Sequence, residues 1–240
     1  MVQFMYFRIG VVYINDIQVL INMKILFINV LSVLGYLIIL VFLPFLWYQG
    51  VRLKKKVQIF PTPVDSPYGF CKGKGKNFNI LGLGESPMAG VGIDKYDLTL
   101  TGLTAVRLSK LLGCNVNWEI LAESGISMKK LNKLIIDQSD VNADLVIVSM
   151  GGNDVFQLTP PWVWKNNINT CVKLLFQKNK NSFILFSPVP PVGRFPGIQN
   201  PLKIAFGLWE FLLQASLAHA INSMDNVYLL VERFPKGKKY

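Results

Sequence analysis

From Asn77 onward, short apolar segments end in glycine turns and alternate with segments of helical apolar spacing. This alternation constrains the fold more than any other feature of the chain. FNILGLGES at 78–86 reads as a strand running into a glycine-rich turn. Leu98, Leu103, Val106, Leu108 and Leu111 give 97–112 the spacing of a helix. VNWEILAES at 116–124 alternates as a strand does, and 128–135 carries a second helical pattern. ADLVIVSMGGND at 143–154 is a buried strand leading into another glycine turn. A third helix is expected over 161–178, where Pro161 suits the first turn because its missing N–H would be unpaired there anyway. SFILFSPVPP at 182–191 is a strand stopped by prolines, 202–224 a long helix, and 226–231 a fifth strand. Strands and helices in this rhythm predict an α/β fold, with a mostly parallel five-stranded sheet covered by helices on both faces. Ligands bind such sheets beyond the carboxyl ends of the strands. The loops that matter are therefore 83–92, 123–127, 150–157 and 187–199.

Ahead of this pattern lies a different one. Residues 25–48 carry no charge, and at about 1.5 Å per helical residue they are long enough for a hydrocarbon core of roughly 30 Å. Pro44 is placed to kink the segment, Trp47 and Tyr48 sit where interfacial aromatics would, and Arg52, Lys54, Lys55 and Lys56 follow. The run is long for a cleaved signal peptide, and no small-x-small site precedes the lysines. The expectation is a transmembrane or signal-anchor helix and a single-pass membrane location. The basic flank puts the following domain on the cytoplasmic side, with an extracytoplasmic (periplasmic) domain as the alternative. Met23 and Lys24 look like an ordinary membrane-protein start, which leaves 1–24 as an N-terminal extension. Pro61, Pro63, Pro67 and KGKGK at 72–76 make 49–76 a basic, Pro/Gly-rich linker, and 77–240 is the globular part.

The net charge of +11 raises the question of nucleic acid. Much of it sits in the flank after residue 48 and in Arg233, Lys236, Lys238 and Lys239, and no helix-turn-helix, finger or aromatic-basic stripe accompanies it. Nucleic-acid binding is not expected. The three cysteines, Cys71, Cys114 and Cys171, share no CxxC spacing and make a poor disulfide framework. They read as unreactive interior thiols rather than zinc ligands.

Three residues with plausible chemistry remain after strand ends. Ser86 lies in LGLGESPMAGVG, where glycines permit close backbone approach, and it becomes a nucleophile if a base is near. The loop does not bind phosphate by any standard pattern: it is not GxxxxGK[ST], and counting from Gly82 puts Pro87 at the last glycine of GxGxxG. Gly125 follows a strand and can turn its N–H into the same cleft. Asn153 follows Gly151 and Gly152 and can offer its amide to a developing oxyanion.

Together these residues resemble the SGNH (GDSL-like) hydrolases. Gly84–Ser86 (GES) is similar to the GDS nucleophile block, Gly125 to the second block, and Gly151-Gly152-Asn153-Asp154 to the GxND block, in family order. SPVPPVGRFP at 187–196 also resembles bacterial members with an N-terminal apolar helix, and the resemblance spans roughly 77–231. It implies an SGNH-hydrolase-like, flavodoxin-like three-layer sandwich. It further implies Ser86 as nucleophile, and an oxyanion hole from the Ser86 and Gly125 N–H groups and the Asn153 side chain. The substrate would be an ester or acylated small molecule, and acyl transfer to serine needs no metal or organic cofactor. Glu85 stands where the family has Asp. The family's DxxH block has no counterpart in ERFPKGKKY at 232–240, and the single histidine, His219, sits inside a helix pattern. The expectation is therefore a C-terminally incomplete hydrolase of impaired activity, the alternative being an inactive membrane-anchored domain that binds an acyl or carbohydrate ligand. Trp162 and Trp164 suggest an apolar rim to the cleft, and core packing accounts for these aromatics as well.

Overall fold

The computed structural model describes residues 60–138, 142–195 and 197–230, and before them 23, 26–28, 30–37, 41, 44, 48, 49 and 52. The extension 1–22, the lysines 54–56 and the tail 231–240 lie outside the described residues. In chain order the elements are α1 (Leu26–Leu37), β1 (Tyr68–Cys71), β2 (Asn77–Gly84), α2 (Leu100–Leu112), β3 (Asn115–Ala122), α3 (Met128–Asp137), β4 (Leu145–Ser149), α4 (Gly152–Phe156), α5 (Pro161–Lys178), β5 (Phe183–Phe186), α6 (Leu202–Ile221) and β6 (Val227–Leu229).

The sheet has six strands in the order β1-β3-β2-β4-β5-β6. All neighbours are parallel except β1 and β3, which run antiparallel. The five-stranded expectation is thus corrected to a mixed six-stranded sheet. The additional strand, β1, lies within the stretch read as linker. Its prolines all precede it, and Tyr68–Cys71 pairs with Val116–Glu119 along the sheet edge.

Period-2 alternation explains why the central strands are apolar throughout, since both faces are covered. Leu81, Leu83, Val146, Val148, Ile184 and Phe186 point into the larger core, against α3, α5 and α6. Ile80, Ile147, Val116, Trp118 and Ile120 point the other way, against Ala105 of α2 and Met88. Gly84 permits a close approach that no other residue would, because a Cβ there would fall 2.4 Å from the Ser149 carbonyl oxygen.

Helix ends follow their caps. Thr99 accepts from the Gly102 N–H at the start of α2, and Gly113 closes it in the left-handed region at φ 64°. α5 begins at Pro161, as its sequence predicts. Among the described residues, the helix long and apolar enough to cross a membrane is α6, with mean hydropathy 1.4. It is a core helix, with Trp209, Leu212 and Leu213 fully buried. The expected anchor 25–48 is described only in part. Its α1 portion packs against the domain through Ile28, Leu31 and Tyr36.

Candidate active site

β2, β3 and β4 are adjacent and parallel, so their carboxyl ends deliver three loops to one place. The register pairs Gly84 with Ala122 on one side and with Ser149 on the other. Two residues past that register, Ser86 meets Ser124, and their hydroxyl oxygens lie 2.8 Å apart. Ser86 opens a tight turn in which the Met88 and Ala89 N–H groups donate to the Glu85 carbonyl at 2.9 Å. It remains partly accessible, whereas Glu85 is 2% exposed. Gly125 follows Ser124 with φ 84°, a left-handed conformation that a side chain would strain.

Glu85 ties this loop to the next. Its Oε1 accepts the Gly152 N–H at 2.6 Å, and its Oε2 accepts the Asn153 N–H at 2.9 Å and also the Asn153 side-chain amide. Burial pushes its carboxyl above the ordinary range, the three N–H donors pull it back, and Asp154 pushes it up again. Asp154, itself 1% exposed, accepts the Met128 N–H and the Thr159 hydroxyl, each at 2.9 Å. Ser127, at the N-cap of α3, makes no side-chain cap bond, and Asp154 supplies the acceptor from across the fold. Burial raises the Asp154 pKa also, and these two hydrogen bonds oppose it. The fourth loop backs the arrangement: a Cβ on Gly151 would touch Val189, and the Ser187 hydroxyl donates to that of Ser149 at 3.1 Å.

The structure therefore brings Ser86, the Gly125 turn and Asn153 to neighbouring strand ends. Three further residues were not singled out from sequence for the parts they play: Ser124, Glu85 as a clamp on Asn153, and Asp154 as a cap. The signal for Ser124 was the β2–β3 register, which puts it opposite Ser86.

His219 lies elsewhere. It lines a cavity of about 340 Å³ with Ile28, Pro161, Trp162, Lys165 and Ser216, among others, none of them from the strand-end loops. Burial lowers its pKa and the Lys165 charge lowers it further. A larger cavity, about 480 Å³, is lined by Tyr68, Asn79, Asn117, Trp118 and Glu119 among others. Neither Ser86, Gly125 nor Asn153 lines it. Trp164 is no rim residue, being 1% exposed with its indole N–H donating to the Leu213 carbonyl. Trp162 is exposed beside Tyr36.

A model of the GDSL-like Lipase/Acylhydrolase family matches residues 83–210, just over half the chain and all three strand-end loops. The chain belongs to this family. The family's hydrolase, esterase and lipase-like character accordingly describes its class. Similar solved structures include a lipase, Lip_vut3, from a goat rumen metagenome, at 14% identity over 63% of this chain and 79% of that one, with a TM-score of 0.49. The psychrotrophic esterase EstA from Pseudoalteromonas sp. is 16% identical over 63% and 75% respectively, TM-score 0.45. Phospholipase A1 from Streptomyces albidoflavus NA297 is 13% identical over 63% and 78%, TM-score 0.45. No curated protein matches the chain by sequence.

Proposed function

We propose that this family member is a serine hydrolase of the esterase/acylhydrolase type, in which Ser86 attacks a carboxylic ester or acyl carbonyl. One observation carries the reading: the Ser86 hydroxyl, 2.8 Å from that of Ser124, stands where three parallel strands end, with Gly125 on one side and a clamped Asn153 on the other. In this reading Ser86 Oγ bonds to the carbonyl carbon and the carbonyl oxygen takes up negative charge. The Ser86 and Gly125 N–H groups and the Asn153 amide donate to that oxygen. Glu85 occupies one amide hydrogen of Asn153, leaving the second for the oxyanion. The alkoxide leaves, and water then cleaves the acyl-serine.

Attack also requires a group that takes the Ser86 proton. Ser124 shares a hydrogen bond with Ser86 but is no base at neutral pH, and His219 lines a separate cavity. Hydrolysis by these residues alone is therefore expected to fall about 10³- to 10⁶-fold below that of a complete triad. The position of His219 favours a second reading, a membrane-attached domain that binds an acyl or carbohydrate ligand without turning it over. In both readings residues 25–48 attach the chain to a membrane. The basic flank favours a cytoplasmic domain, and an extracytoplasmic one is the alternative.

Hydrolysis of a short p-nitrophenyl ester by the chain and by Ser86→Ala decides between them. A rate lost in the variant supports the nucleophile, and equal rates sink the catalytic reading. An activated phosphonate ester is expected to label Ser86, more slowly in Asn153→Ala.

A further inference from the structure

α1 has two faces that differ in kind. Ile28, Leu31, Ser32, Gly35 and Tyr36, spaced three and four apart, turn toward the domain. Ser32 is fully buried. A Cβ on Gly35 would sit 3.2 Å from the Trp209 ring. Tyr36 meets Trp209 edge-on at 4.6 Å between centroids, and its hydroxyl donates to the Leu158 carbonyl at 2.7 Å. Three contacts set the register along α6. Ile28 shares a cavity with Ser216 and His219, Gly35 faces Leu208 and Trp209, and the Gln49 amide donates to the Asn200 carbonyl at 3.0 Å. The N-terminal segment thus runs antiparallel along α6 rather than away from the domain.

Among the described residues, the outer face of α1 is apolar. Leu26, Phe27, Val30, Val33, Leu34 and Leu37 are each between 48% and 63% exposed. The domain continues this surface. Trp162 lies 6.4 Å from Tyr36, and the exposed Ile204 and Phe211 lie one turn before and after Leu208 on α6.

We propose that the domain lies against a lipid bilayer through this surface, with α1 held in the plane of the interface by α6. The proposal rests on the membrane attachment proposed above and specifies its geometry. A helix that spans a bilayer must be enclosed by lipid or by other spanning elements. α1 is backed by α6, which is backed in turn by the core, and exposed Lys203 stands beside Ile204. This suits a helix with one side on protein and the other sunk among acyl chains. Arg52, whose guanidinium lies 5.2 Å over the Tyr48 ring, and the Lys54–Lys56 run that follows in sequence give the charge that anionic headgroups attract.

The test is photolabelling of the full chain on phosphatidylcholine/phosphatidylserine vesicles containing a diazirine-bearing acyl chain, with adducts mapped by mass spectrometry. Expected adducts fall on Leu26, Phe27, Val30, Val33, Leu34, Leu37, Trp162, Ile204 and Phe211, and skip Leu31, Ser32 and Tyr36. Adducts all round 26–37, with none on α6, would mean a free spanning tether; that overturns the proposal and leaves membrane attachment standing. No association with vesicles sinks both. Cross-links between two copies through α1, with no lipid adducts there, would make the surface a dimer contact and overturn the proposal. A Val33→Asp/Leu34→Asp variant with unchanged circular dichroism is expected to lose about tenfold or more in vesicle binding.

Discussion

A carboxylate with 2% of its surface exposed is costly unless its oxygens are fully occupied, and at Glu85 three N–H donors from Gly152 and Asn153 occupy them. Glu85→Gln keeps the shape but puts an NH₂ where an acceptor stood, so one of those donors loses its partner. The expected loss is about 1–3 kcal/mol in urea unfolding, with slower phosphonate labelling of Ser86 as Asn153 comes loose. The pH dependence has a definite sign. The folded state raises the Glu85 pKa, chiefly by burial. Between the ordinary carboxyl range and that raised value, the native state holds a proton that the unfolded chain has released. The contribution of Glu85 to stability therefore falls as pH rises through this window and is largest below it. Melting temperatures of the protein and of Glu85→Gln, followed from pH 4 to 7, should show the advantage of the native residue shrinking with increasing pH. A growing advantage would contradict the burial argument.

At the scale of elements, α3 depends on a residue outside it. Asp154→Ala would leave the Met128 N–H and the Thr159 hydroxyl unpaired. It should cost about 1–3 kcal/mol, read as a lower urea midpoint. Elements with long, regular patterns were legible in the sequence. α5 runs Pro161–Lys178, within the bounds that its proline and apolar spacing set, and the central strands stood out because burial on both faces makes them continuously apolar. β1 was not legible, since YGFC is four residues long, follows three prolines and is only partly covered. α4, at five residues, is too short for any period to show. The same contrast holds at the site. Ser86, Gly125 and Asn153 could be singled out because each lies in a glycine-containing turn that follows a strand. Ser124, the clamp at Glu85 and the cap at Asp154 depend on strand register and on contacts between loops far apart in sequence, which no local pattern encodes. The long helix expected over 202–224 is α6; its composition would suit a membrane, but its Trp209, Leu212 and Leu213 are buried in the core.

In the molecule as a whole, the larger core gathers α3, α5, α6 and the inner face of α1 on one side of the sheet, and the smaller core gathers α2 on the other. Contacts run from that periphery to the strand ends: Tyr36 to Leu158, Trp209 to Thr159, Thr159 to Asp154, and Asp154 to Met128. Two buried carboxylates staple the loops, and the 150–157 loop, which takes part in both staples, cannot swing out without releasing both. The Met128, Gly152 and Asn153 amides should consequently exchange with deuterium as one cooperative unit, with a shared opening free energy well above that of an ordinary surface loop. Glu85→Gln should speed all three together, Met128 included, although Met128 makes no contact with Glu85 through its N–H. Closely matched protection at these amides would mark the carboxyl end of the sheet as a single block that opens whole or stays shut.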